Sequence, residues 1–170
     1  MVGRSSTRRR KGGTLRDGER RQLARASRRA REPLALPDGG GWALLLCDGG
    51  SRGNPGTAAI AAVLVAPGGE LLDRAAALIG RATAAEAEYC AILLGLELAA
   101  AHGADPLEIR NDSRLAIAAV QGATPTDAEL ARLVREIQAG ASRFSAVRWR
   151  WQPRRDNEAA DALVRELLWR

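Results

Sequence analysis

Residues 42–48 read WALLLCD: an unbroken apolar run that stops at one carboxylate and gives way at once to GGSRGNPG. A short apolar run bounded by turn residues is the pattern of a buried strand. A buried strand that finishes on a bare acid raises the question of what the acid does, because an unpaired carboxylate is costly to bury. The same run marks a change of texture. Residues 1–15 have no hydrophobic periodicity and are expected to be disordered. Residues 16–32 form at most a marginal, very basic helix, and PLALPDGGG reads as a linker. The expected division is therefore a basic extension over 1–40 and one folded domain over 41–170.

After Trp42 the periodicity fixes an order of elements. TAAIAAVLVAP and GELLDRAAALIG read as two more strands joined by PGG, a hairpin signal. TAAEAEYCAILLGLELAAAHG predicts a helix with Thr83 as N-cap and Gly103 as terminator. PLEIRND is a short strand. SRLAIAAVQG is a helix capped by Ser113 and closed by Gly122. PTDAELARLVREIQAG is another, capped by Thr126 or Asp127. AVRWRWQP alternates, with Val147, Trp149 and Trp151 on one face and Arg148 and Arg150 on the other, which is strand periodicity. That alternation favours core packing of the two tryptophans over base stacking. DNEAADALVRELLWR is the closing helix. The order β-β-β-α-β-α-α-β-α implies an α/β fold, a mixed sheet with helices packed on it.

Composition narrows the function classes. No apolar run approaches the ~20 residues of a membrane span, and the arginine-rich start lacks the apolar stretch of a secretory signal. Cys47 and Cys90 lie in apolar segments, which suits reduced thiols in a cytoplasmic protein. One His and no CxxC pair argue against structural zinc; His102, at a helix C-terminus, is given no catalytic part. Residues 1–40 carry twelve Lys/Arg against four Asp/Glu, and residues 41–170 fourteen against sixteen. A basic arm on a mildly acidic domain is a common layout for nucleic-acid partners.

The acids that can join Asp48 follow from geometry. At about 100° per residue, Glu86 and Glu97 fall opposite the stripe of Tyr89, Ile92, Leu96 and Ala99, whereas Glu88 falls on its edge. Gly95 shares that side and lets the helix approach the sheet. Asp112 ends LEIRND; if that strand lies parallel to LLLCD, the two aspartates stand ~5 Å apart. Asn157 and Asp161 share a face of the last helix. Asp161 has a plainer alternative as an i, i+4 partner of Arg165, and Asp112 as a helix cap. Three or four gathered carboxylates repel, and a hard divalent cation resolves that repulsion.

CDGGSRGNPG, TAAEAEYCAILLGLELA, IRNDSRLAI and WQPRRDNEAADAL resemble the four motif blocks of type 1 ribonucleases H, in the family's order and spacing over residues 42–168. The resemblance implies a five-stranded mixed sheet in order 3-2-1-4-5. It implies a catalytic and metal-binding set of Asp48, Glu88, Asp112 and Asp161, holding two Mg²⁺ ions with Mn²⁺ as substitute and Asp48 as the bridging ligand. The reaction implied is hydrolysis of the RNA strand of an RNA–DNA hybrid, leaving 3′-hydroxyl and 5′-phosphate ends. Gly49, Gly50, Ser51, Arg52, Gly53 and Asn54, read as a loop, become candidate contacts to the nucleic-acid backbone, together with Thr83, Arg154, Arg155 and Asn157. A monomer is expected, with no membrane partner and with the arm adding contacts to hybrid, double-stranded RNA or DNA.

The chain also departs from the family. Many members carry a histidine in the loop before the last helix, and WQPRRDN has none. Ala85 stands where members often carry Asn, and QGATPTDAEL is too short and insufficiently basic to be the basic handle of some members. Two rival readings keep the fold: a non-catalytic module that binds hybrid or double-stranded RNA, and a nuclease with another nucleic-acid substrate.

Overall fold

The computed structural model describes residues 40–170; the expectations for the arm and linker fall outside them. Strands β1 (Ala43–Gly53), β2 (Gly56–Val65) and β3 (Leu71–Ala82) lead into helix α1 (Ala84–Ala101). Strand β4 (Leu107–Asn111), helices α2 (Arg114–Val120) and α3 (Ala128–Ala141), strand β5 (Val147–Trp151) and helix α4 (Glu158–Leu168) follow. The sheet order is β3-β2-β1-β4-β5. The β1–β2 and β2–β3 pairs are antiparallel, and the β1–β4 and β4–β5 pairs are parallel. Order, direction and element count agree with the sequence expectation.

Local chemistry explains the boundaries. Thr83 and Glu86 form a reciprocal capping box at α1, the Glu86 carboxylate accepting from the Thr83 amide at 2.6 Å. Gly103 takes a left-handed φ of 61° just beyond the helix. Ser113 caps α2, and Asp127 rather than Thr126 caps α3. The β2–β3 hairpin closes through the Ala66 amide on the Glu70 carbonyl at 2.8 Å, with Gly69 at φ 94°.

Two faces of β1 are buried. Leu45 and Cys47 meet Ile92 and Leu96 of α1, with Leu133 and Ile137 of α3 behind them. Leu44 and Leu46 meet Ala160 on the other side. Gly95 makes the first contact possible. A Cβ there would stand 2.7 Å from Leu45 Cδ2 and 2.8 Å from Cys47 Sγ. Cys47 is buried, Cys90 half-buried, and both thiols are free.

Three expectations need correction. The glycine-rich stretch after Asp48 is not a loop: β1 continues through Gly53, paired residue by residue with β2. The closing helix starts at Glu158, after a short 3-10 turn over Arg154–Asn157. Trp149 packs on the core as expected, but Trp151 at the strand end is 37% exposed.

Candidate active site

The acids come from four elements that meet where β1 and β4 part. Asp48 lies within β1 where β4 stops pairing with it, the last paired residues being Leu46 and Arg110. Asp112 is one residue beyond β4, on the same side of the sheet as Asp48 by alternation. Glu88 comes from the second turn of α1. Gly49 determines how near it comes, since a Cβ there would lie 2.2 Å from the Ala87 carbonyl carbon and 2.5 Å from the Glu88 amide. The helix backbone therefore rests directly on the strand. Carboxylate oxygens of Asp48, Glu88 and Asp112 all lie within 4.8 Å of one another.

Such crowding appears in their acidities. Burial, then the Asp112 and Asp161 charges, push the Asp48 carboxyl up to about 7. Burial and then Asp48 push Glu88 up to about 8, against a lowering by Asn111. Burial also raises Asp112, with Arg154 opposing. Asp161, in the first turn of α4, is buried but stands outside the three-acid group. The guanidiniums of Arg154 and Arg165 hold it, the latter through Nε at 2.7 Å. The i, i+4 pair weighed in the sequence exists, on a buried acid.

A set of amides fixes this geometry. The Asn111 side chain donates to the Cys47 carbonyl at 3.1 Å and to Glu88 Oε2 at 2.8 Å. Asn157 donates to the same Cys47 carbonyl at 2.8 Å and accepts from Gln152 at 3.0 Å. Trp151 Nε1 donates to the Asp112 carbonyl at 2.9 Å. Sequence reasoning missed Asn111, Gln152 and Trp151 in these parts. The available signal was alternation: Asn111 must face opposite Asp112, toward α1.

The expected backbone-contact residues divide. Gly49 faces α1 and Gly50 faces Val164 and Leu168 of α4, so protein covers both. The Ser51 hydroxyl is buried without a hydrogen-bond partner. Arg52 donates to the Leu168 carbonyl at 3.1 Å and stacks on Trp169. Asn157 is fully buried within the amide set and does not face a ligand. These are structural placements, imposed by close packing and by backbone groups that need partners. Gly53 and Asn54 are exposed at the β1–β2 turn. The Asn54 side-chain oxygen accepts from the Ala84 amide at 3.1 Å, which places it beside Thr83 and the start of α1. Arg154 reaches the acids, and Arg155 is exposed beside Asp156.

Comparison with known proteins gives the same picture from another direction. Residues 46–167 match the family model described as reverse transcriptase-like. The chain is 43% identical over 139 residues to ribonuclease HI of Halobacterium salinarum, covering 79% of this chain and 68% of that protein. The crystal structure of RNase H1 from that archaeon superposes with a TM-score of 0.73 at 39% identity, over 75% of this chain and 98% of the other. The N-terminal RNase H domain of Rv2228c from Mycobacterium tuberculosis gives 0.73 at 34% identity, over 76% and 94%. LC11-RNase H1 in complex with an RNA/DNA hybrid gives 0.70 at 31% identity, over 74% and 96%. Sequence, fold and the gathered acids agree: the chain belongs to the type 1 ribonuclease H family.

Proposed function

We propose that the chain hydrolyses the RNA strand of RNA–DNA hybrids at the cluster of Asp48, Glu88 and Asp112, with Asp161 as the fourth acid. The observation that carries this is the approach of three buried or half-buried carboxylates to within 4.8 Å on an otherwise well-packed sheet end. The donor set fits a hard cation. It is all oxygen, and the weakened acidity of Asp48 and Glu88, through burial and mutual repulsion, marks negative charge that the surrounding protein leaves uncompensated. Two Mg²⁺ ions, or Mn²⁺ in their place, supply Lewis-acid polarisation of a phosphodiester and an acidified water when bound.

The chain's own groups do the positioning. Asp48 is central, with Asp112 beside it and Glu88 set by the Asn111 amide. Arg154 holds Asp161 and lies close enough to Asp48 and Asp112 for their charges to stabilise its cation. A guanidinium on that rim is suited to take a phosphate oxygen bidentately once substrate arrives. It occupies the loop where other family members carry histidine. Asn54 and Thr83, adjacent at the start of α1, form the second candidate contact to the backbone.

The test is Asp48→Asn, assayed beside the wild type on RNA–DNA, RNA–RNA and DNA–DNA duplexes in Mg²⁺ and in Mn²⁺. The expected result is metal-dependent cutting of the RNA strand in the hybrid by the wild type, and retained binding without cutting by the variant. Cutting by Asp48→Asn at the wild-type rate would remove Asp48 from the site. Binding without cleavage by the wild type in both metals would favour the non-catalytic module.

A further inference from the structure

On the side of the sheet that carries Asp48 and Asp112, α4 packs across β1, β2 and β3. The β4–β5 half of that side carries a different set of residues. Glu108 of β4 is fully buried, and three guanidiniums converge on it. Arg110 approaches Oε1 with both Nε and Nη2 at 2.7 Å. Arg150 Nε is 3.2 Å and Arg148 Nη1 3.8 Å from Oε2, and Oε2 has no hydrogen bond of acceptable geometry. Three guanidinium charges thus face one carboxylate charge, so Arg148 and Arg150 carry positive charge beyond what Glu108 neutralises. Their side chains are 36% and 53% exposed. Arg148 also stacks on Trp42, at 3.9 Å from the ring centroid.

Register places this row against the acids. Arg148 pairs with Glu108 and Arg150 with Arg110, and Arg110 pairs with Leu46, two residues before Asp48. The arginines thus occupy alternate positions of β5, ~6.6 Å apart along the strand. They lead away from the acid cluster on the same side of the sheet. A linear row of surplus guanidiniums suits a linear polyanion better than a single anion. Its continuity with the acid cluster points to the same polyanion. We infer that Arg148 and Arg150, oriented by buried Glu108, form a track for the phosphodiester backbone of the nucleic acid that extends beyond the scissile bond. This rests on the proposed hydrolysis of hybrids and adds where the uncut part of that substrate lies.

The experiment compares a long RNA–DNA hybrid with one trimmed to a few base pairs about the cut. The chains are wild type, Arg148→Gln/Arg150→Gln and Arg148→Lys/Arg150→Lys. For the long hybrid the Gln pair is expected to raise KM roughly five- to tenfold and to reduce the slope of log K against log salt by ~1.4–1.8. The trimmed hybrid should show neither change, and the Lys pair should keep most of the affinity. Melting curves report whether the Gln pair folds. Arg148→Gln alone, whose guanidinium lies beyond hydrogen-bond distance of Glu108, supplies the test if it does not, with about half the slope change. An unchanged KM and salt slope on the long hybrid overturns the track. A wild type that cuts no hybrid fails the functional reading instead. The track is then decided by fluorescence anisotropy of the same long hybrid, where equal affinity of wild type and Gln pair overturns it.

Discussion

The side-chain amide of Asn111 stands 2.8 Å from Glu88 Oε2 and joins the acid of α1 to the end of β4. Its second N–H goes to the Cys47 carbonyl, beside the residue that bears Asp48. One small side chain therefore sets two acids relative to each other. Replacing it with Ala leaves Glu88 without its donor and should cost about 1–3 kcal/mol, the usual penalty for an unsatisfied buried partner. Urea denaturation measures this. In addition, half-maximal cleavage should need more Mg²⁺, whereas a purely structural role would leave the metal titration unchanged.

Gly49 is the tightest contact between strand and helix. Gly49→Ala puts a methyl 2.2 Å from the Ala87 carbonyl carbon, a backbone atom that cannot rotate away. The helix must shift, and Glu88 moves with it. The expected loss is about 1–3 kcal/mol or more in stability, with kcat falling at least tenfold through misplacement of the acid. Gly50→Ala, whose Cβ would meet only side-chain atoms, Val164 Cγ1 at 3.3 Å and Leu168 Cδ1 at 3.7 Å, should be milder on both counts. Equal effects of the two substitutions would refute the distinction.

Acidity predicts a linkage between pH and metal. Asp48 at about 7 and Glu88 at about 8 lie above the ordinary carboxylate range in the folded chain. From about pH 4 to about pH 8 the fold therefore binds more protons than the unfolded chain, so these groups make stability fall as pH rises through that window. A bound cation removes the cause. The melting temperature in EDTA should drop from about pH 5 to about pH 9 relative to that in Mg²⁺, and the Mg²⁺-dependent gain should widen in step. A constant gap across that range would show that the acids are not the metal ligands.

The basic arm is open to direct test by deletion. Residues 1–40 hold twelve of the twenty-six Lys/Arg. Deleting them should weaken hybrid binding at low salt and flatten its salt dependence, with cleavage of saturating substrate retained. Unchanged affinity at low salt would assign the arm another role.

The order of elements was legible because nearly every one carries its own period and cap. Thr83 with Glu86, Ser113 and Asp127 mark helix starts that the fold uses. Glu88 could be separated from Glu86 for a related reason: the cap consumes Glu86, while the core-facing edge carries Glu88. The glycines after Asp48 were misread because a strand packed against helix backbone on one side needs residues without side chains, and those look like a loop. The structural parts of Arg52 and Asn157 were not legible, because polar residues near a site look like ligand contacts. In the fold they satisfy backbone carbonyls, of Leu168 and Cys47, that lie far from them in the chain. Pairings across so many residues leave no local periodic trace.

The Cys47 carbonyl has a consequence in time as well as in space. Its two amide donors come from Asn111 and from Asn157, just ahead of α4. The early strand that bears Asp48 thus waits, during synthesis, for a residue more than a hundred positions downstream. Until then only Asn111 can serve that carbonyl. The carbonyl next to Asp48 therefore gains its second donor only when the segment ahead of α4 docks on β1.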